Sequence, residues 1–164
     1  MDGSKLTITL FTEDIPDYKR IGEQMAQWIY DEFIHNIRRG VSIGDVRKRF
    51  AGCTPGILPL RYAAFWEGAR AGTVSLVNND LKYRDYSPWL SSLYVEPAYR
   101  NYGIGRTLIE TVKTAAFDMG FDKLYLRTEF AGGYYRKLGW TFVEQCMDEY
   151  GLSPEVFCWR KGEK

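Results

Sequence analysis

Apolar residues recur along the chain with two periods, and the switches between them mark its elements. Leu6, Ile8 and Leu10 alternate with Thr7 and Thr9, the two-residue period of a strand with one buried face. Pro16 suits the first turn of a helix. After it, Ile21, Met25, Trp28 or Ile29, and Phe33 recur at helical steps, which predicts an amphipathic helix. Ser42 and Asp45 have the spacing of a weak capping box and open a second, shorter helix. LRYAAFW and GTVSLV flank EGARA, whose Gly68 suits a tight turn, so a β-hairpin follows. WLSSLYV is the next strand, ended by Pro97. Ile104, Leu108, Val112, Ala115 or Ala116, and Met119 mark a helix with Gly120 at its C-terminal cap. KLYLRT is a strand, GGYYRKL a short helix closed by Gly139, and WTFVEQ and VFCWR are final strands.

The order is strand, two helices, three strands, helix, strand, helix, two strands. One strand–helix–strand crossover among hairpin-connected strands predicts an α/β mixed, mostly antiparallel sheet of about seven strands with about four helices. A length of 164 residues fits one domain spanning 1–164. A net charge of +1 gives no bulk pull toward nucleic acid or membrane, so any anion site is local. Cys53, Cys146 and Cys158 are an odd count without C-x-x-C spacing, as expected of reduced thiols. The start MDGSKLTITLF lacks the pattern of a signal peptide, and no apolar run is long enough for a membrane span. A cytoplasmic protein is expected. No His, Cys or Asp cluster has metal-ligand spacing.

The stretch with the most chemistry is YVEPAYRNYGIGRTLIETV, 94–112. Arg100, Asn101, Tyr102, Gly103, Ile104, Gly105 and Arg106 lead from a strand into a helix. The first helical N–H groups lack partners within the helix and face the positive end of its dipole. Glycines permit close approach, and two arginines add charged donors, which suits a phosphate or pyrophosphate. A dinucleotide fingerprint would need glycine where Leu108 stands, and a triphosphate loop needs G-K-S or G-K-T, which does not occur. An ordinary strand-to-helix turn stays open on these residues alone.

The Arg-x-x-Gly-x-Gly pattern after LYVEPAY closely resembles the acetyl-CoA-binding segment of the GNAT N-acetyltransferase superfamily. Thirty residues on, YYRKLGW resembles that family's second signature, and both lie in the family's order within residues 88–145. The resemblance implies a sheet splayed at its fourth and fifth strands. There acetyl-CoA lies with its pantetheine arm on the backbone of Leu93, Tyr94 and Val95. Its pyrophosphate would sit on the amides from Tyr102 to Arg106, with Arg100 and Arg106 adding side chains. Thr128 stands where many relatives carry an asparagine that contacts the cofactor arm.

The implied reaction is direct attack of a primary amine on the thioester in a ternary complex. An amine with a lysine-like pKa near 10.4 must lose a proton, a deficit of about 4 to 5 kcal/mol at pH 7. Tyr135 holds the signature's tyrosine position and is the candidate acid for the departing thiolate. The base is less plain. Period two places Trp89, Ser91, Leu93 and Val95 on one face, and a bulge would shift that parity. Relatives carry an acid or histidine near 89–91, where this chain has Trp89 and Ser91. Glu129, acting through water held by Ser91, ranks ahead of Asp80 and Asp85 as the base. His35, on the first helix, is a weak candidate.

For the acceptor, Trp28, Tyr30, Tyr83, Tyr86 and Trp89 would form an aromatic wall, with Asp31, Glu32, Asp80 and Asp85 attracting a cation. That suits a cationic small-molecule amine. A protein or peptide amine, and a non-catalytic acyl-CoA-binding module, remain as alternatives. Exposed edge strands leave a homodimer open.

Overall fold

A computed structural model describes residues 4–163; the first three residues, part of the stretch read for a signal peptide, and Lys164 lie outside it. The elements are β1 (Leu6–Leu10), α1 (Tyr18–Ile29), α2 (Ile43–Arg49), β2 (Leu60–Trp66), β3 (Ala69–Val77), β4 (Trp89–Val95), α3 (Ile104–Asp118), β5 (Lys123–Thr128), α4 (Gly132–Lys137), β6 (Thr141–Gln145) and β7 (Glu155–Arg160). The helical pattern through Phe33 loosens after Ile29 into a π-helical turn, Tyr30–Ile34. Asp17, not Pro16, is the residue that precedes α1. Ser42 and Asp45 form the expected capping box, each side chain taking the other's backbone N–H. Glu67 and Gly68 both have positive φ, the geometry of a two-residue hairpin turn that matches strand twist, so β3 begins directly at Ala69.

The seven strands lie in the order β1-β2-β3-β4-β5-β7-β6, and all neighbours are antiparallel except β4 and β5. The two faces are covered differently. Leu60, Ala64, Val74, Leu76 and Leu90 pack under α3 through Ile104, Leu108 and Val112. Ala63 and Phe65 face the other way, toward Ile21, Met25 and Ile29 of α1 and Val46 of α2. Beyond the reach of α1 and α2, Leu81, Trp89 and Val156 form a third cluster with Tyr86 and Tyr125. Among the described residues, no helix is long and apolar enough to cross a membrane.

Candidate active site

Among the described residues the parallel ladder of β4 and β5 has a single register pair, Trp89 with Tyr125. Beyond it the two strands part. In a pleated sheet an unpaired strand leaves N–H and C=O groups free for another extended chain. The exposed side of β4 from Ser91 to Val95 is therefore an open backbone edge inside the sheet.

A bulge re-aims the side chains of that edge. Ser91 pairs with Ser75 and Tyr94 with Thr73, so two residues of β4, Ser92 and Leu93, stand against one of β3, Val74, and Ser92 takes φ 53°. Before the bulge Leu90 faces α3; after it Leu93 and Val95 do. Tyr94 turns to the α1 side and stacks on Trp28 with ring centroids 5.3 Å apart. The plain two-residue period across β4 is thus corrected: Trp89 and Ser91 do not share a face with Leu93 and Val95.

A cavity of about 710 Å³ passes through the opening, lined by Leu93 and Tyr135 on the α3 side and by Phe50, Arg61 and Ser91 on the other. A row of polar side chains crosses its floor. Arg61 Nη1 donates to Ser75 Oγ at 2.8 Å, and Ser91 Oγ donates to Asp80 Oδ1 at 3.0 Å. Arg127 lies 3.7 Å from Asp80 Oδ2 and donates to Asp148 at 3.3 Å. Asp80 is enclosed by protein yet keeps 28% of its side-chain surface, open to the cavity. Burial raises its pKa above the ordinary carboxylate value, and the opposing pulls of Arg127 and Ser91 do not cancel that rise. Glu129 also lines the cavity, held by Arg38 Nη2 at 3.0 Å.

Tyr135 descends into the same cavity from α4 and is almost fully buried against Trp140 and Phe157. Burial, with a smaller push from Tyr134, raises its phenol well above the usual tyrosine range. It stays protonated at every physiological pH and can donate.

The glycine turn lies beside the open edge. Asn101 and Gly103 have φ of 69° and 79°, and Gly103 caps α3 without any side-chain hydrogen bond. Asn101, Tyr102 and Gly103 are exposed, so the first amides of a 15-residue helix face outward, as an anion site requires. A Cβ built on Gly103 meets nothing within 4 Å; one on Gly105 makes only ordinary contacts, with Tyr134 Oη and Val95 Cγ2 at 3.7 Å. The dihedral at Gly103, not crowding, is the constraint there. These residues fit a coenzyme A pyrophosphate and arm. Arg106 is exposed. Arg100 is otherwise engaged: its Nε donates to Val95 O at 2.9 Å, closing the end of β4.

The structure gathers Ser91, Glu129 and Tyr135 around one cavity, with Leu93, Tyr94 and Val95 along its edge and Gly103, Ile104 and Gly105 next to it. It does not gather the expected acceptor wall. Trp89 is 0% exposed, donates its indole N–H to Tyr86 O and packs on Tyr125; it is core, because strand pairing with β5 seals that end. Trp28 packs on Tyr94, and Asp85 is exposed on the loop; neither lines the cavity. Thr128 Oγ1 accepts from Ala131 N at 2.9 Å, fixing the turn into α4. Ser91 Oγ donates directly to Asp80. Arg38, Arg61, Arg127 and Tyr150 also line the cavity; Arg61 alone had a signal, an arginine alternating with Ala63 and Phe65 on one strand face.

A family model described as the acetyltransferase (GNAT) family matches residues 21–140. Among curated protein sequences none matches. Solved structures share the fold at low identity. An aminoglycoside 6′-N-acetyltransferase complexed with coenzyme A aligns at TM-score 0.69 and 16% identity, over 94% of this chain and 96% of that one. A Salmonella typhimurium protein assigned as an acetyltransferase and solved with its cofactor acetyl-CoA aligns at 0.67 and 16%, over 98% and 96%. A GNAT-family acetyltransferase of Streptococcus pneumoniae aligns at 0.65 and 16%, over 96% and 99%.

Proposed function

Because the chain belongs to the acetyltransferase (GNAT) family, we propose that it transfers the acetyl group of acetyl-CoA to the primary amine of a small molecule, as a single domain spanning residues 1–164 in the cytoplasm. The observation that carries this reading is the split between β4 and β5. It exposes a strand edge beside an uncapped helix N-terminus and opens into a cavity holding a buried phenol and a half-buried carboxylate.

Acetyl-CoA, when bound, supplies an acetyl thioester whose carbonyl carbon accepts the amine nitrogen. The α3 amides and Gly103 hold its diphosphate, and the free β4 edge from Leu93 to Val95 orients its arm. An edge N–H of Leu93 or Val95 donates to the carbonyl oxygen as negative charge builds there. Asp80 takes the amine proton. Its raised pKa makes it a better match for an ammonium group than an ordinary surface carboxylate, and Ser91 and Arg127 fix its orientation. Glu129, held by Arg38 at one oxygen, is the alternative acceptor of that proton. Tyr135 returns a proton to the departing sulfur as the C–S bond breaks. Counted from the neutral amine, one proton enters Asp80 and one leaves Tyr135 per turnover; an acceptor arriving as ammonium first gives one proton to solvent, and exchange with solvent through the cavity resets both groups.

The test is acetyl-CoA binding followed by thiol release across a panel of primary amines. Binding with a Kd in the micromolar range and release that depends on an amine are expected. Tight acetyl-CoA binding without release for any amine would leave a non-catalytic acyl-CoA-binding module.

A further inference from the structure

The charge of the cavity differs from that of a site built for a polycation. Its carboxylates are Asp80, Glu129 and Glu149, against five cations. Of the cations, Arg38 and Arg127 are spent on carboxylates, and Lys82 is exposed on the loop. Arg61 and Arg49 remain. Among the described residues neither has a carboxylate partner.

Arg61 is the informative one. It is 7% exposed, lies on the floor of the cavity and rests its guanidinium 4.8 Å above the Phe50 ring. Nη1 donates to Ser75 Oγ; no other hydrogen bond of its five donors is present among the described residues. Burying a guanidinium without a counter-charge is costly unless an anion completes the pair. Burial lowers its pKa to about 10, Arg49 pushing the same way and Cys53 and Asp80 pulling against it without cancelling the fall, and it stays a cation at neutral pH. Arg49, in the last turn of α2, adds a second positive charge at the rim.

The register sets the spacing. Arg61, Ser75 and Ser91 are paired neighbours on β2, β3 and β4. The guanidinium bonds above β3, and Asp80 is held above β4 by Ser91. The anion-binding and amine-binding groups are therefore about one strand spacing apart, ~5 Å. That separation is bridged by one small molecule bearing both groups.

Resting on the acetyl-transfer reading, we propose that the acceptor is a zwitterionic amine of amino-acid type, its carboxylate held by Arg61 with help from Arg49 and its amine presented to Asp80. A carboxylate matches because one sealed guanidinium balances a single negative charge and offers it a bidentate fork. A phosphate dianion would call for a second buried donor of that kind.

The experiment measures acetyl-CoA-dependent thiol release by the intact protein with matched sets of acceptors: several amino acids, their carboxamides and their decarboxylated amines, with phosphoethanolamine as the phosphate-bearing arm. An amino acid is expected to exceed its own carboxamide in kcat/KM by about 30-fold or more. Arg61→Gln is expected to bring that ratio close to one. Arg49→Ala, a change on the exposed rim, is expected to lower the same ratio about threefold and gives an answer even if the Arg61 variant fails to fold. Equal or better rates with carboxamides, with decarboxylated amines, with phosphoethanolamine or only with peptide N-termini overturn the proposal while leaving acetyl transfer intact. An absence of thiol release with every amine overturns the transfer reading itself, and this proposal with it.

Discussion

Replacing Tyr135 by phenylalanine separates chemistry from folding more cleanly than any other change in this protein. The ring is buried against Trp140 and Phe157, so deleting a residue of this size would cost about 3 to 5 kcal/mol of stability. Phenylalanine keeps the whole ring. It removes one hydroxyl that has no hydrogen-bonding partner among the described residues, so no buried group is orphaned and the midpoint of unfolding should stay within about 0.5 kcal/mol of the parent. The catalytic effect is different in kind. A positioned acid contributes roughly 10²- to 10⁴-fold, which is about 2.7 to 5.4 kcal/mol of activation free energy. Because the proposed diphosphate and arm contacts lie elsewhere, on α3 and β4, affinity for acetyl-CoA should change less than about twofold. The assay is stopped-flow or continuous thiol detection at saturating acetyl-CoA, with calorimetric binding alongside. A kcat within about threefold of the parent would remove the phenol from the reaction; equal losses in kcat and acetyl-CoA affinity would recast it as a binding residue.

Asp80→Asn should lower kcat/KM by about 10²-fold and abolish the acid limb of its pH profile, since activity must rise as Asp80 loses its proton. The same group carries a stability signature: its folded pKa lies above the ordinary carboxylate value, so the native protein holds a proton that the unfolded chain has released, and Asp80's contribution falls as pH rises through that interval. The same substitution should flatten this slope in denaturant titrations, and an unchanged slope would assign it to another group. In Gly72→Ala the new Cβ would stand 2.5 Å from Tyr94 O, a backbone atom; a loss of roughly 1 to 3 kcal/mol is expected, with weaker acetyl-CoA binding as β4 shifts, and an unaltered urea midpoint would contradict the packing. Arg127→Met removes the cationic partner of Asp148, whose side chain is 0% exposed and keeps only the backbone N–H groups of Tyr150 and Leu152, and one partner of Asp80; about 2 to 4 kcal/mol should be lost, read from chemical denaturation at neutral pH.

The elements and the glycine turn were legible in the sequence because local rules govern them. Alternation in β1, the capping box of Ser42 and Asp45, and Gly103 at the mouth of α3 depend on neighbours only a few positions away. The seven strands and their single crossover follow from the same short-range signals, and the two motifs in order point to the family. What pairs with what was decided in three dimensions. One extra residue at Ser92 reverses the facing of β4, which no period counted along WLSSLYV reveals. Trp89 became core because β5 closes over it, and Arg100 was drawn to Val95 O because the chain turns back on itself there. Asp80, in a polar loop and ranked behind Glu129 as a base, became a half-buried carboxylate facing the cavity only when Ser91 and Arg127, 11 and 47 positions away, converged on it. Long-range contacts set the dielectric and the partners of a charge, and those two quantities fix whether an aspartate or an arginine is a solvated surface group or part of a reactive cavity.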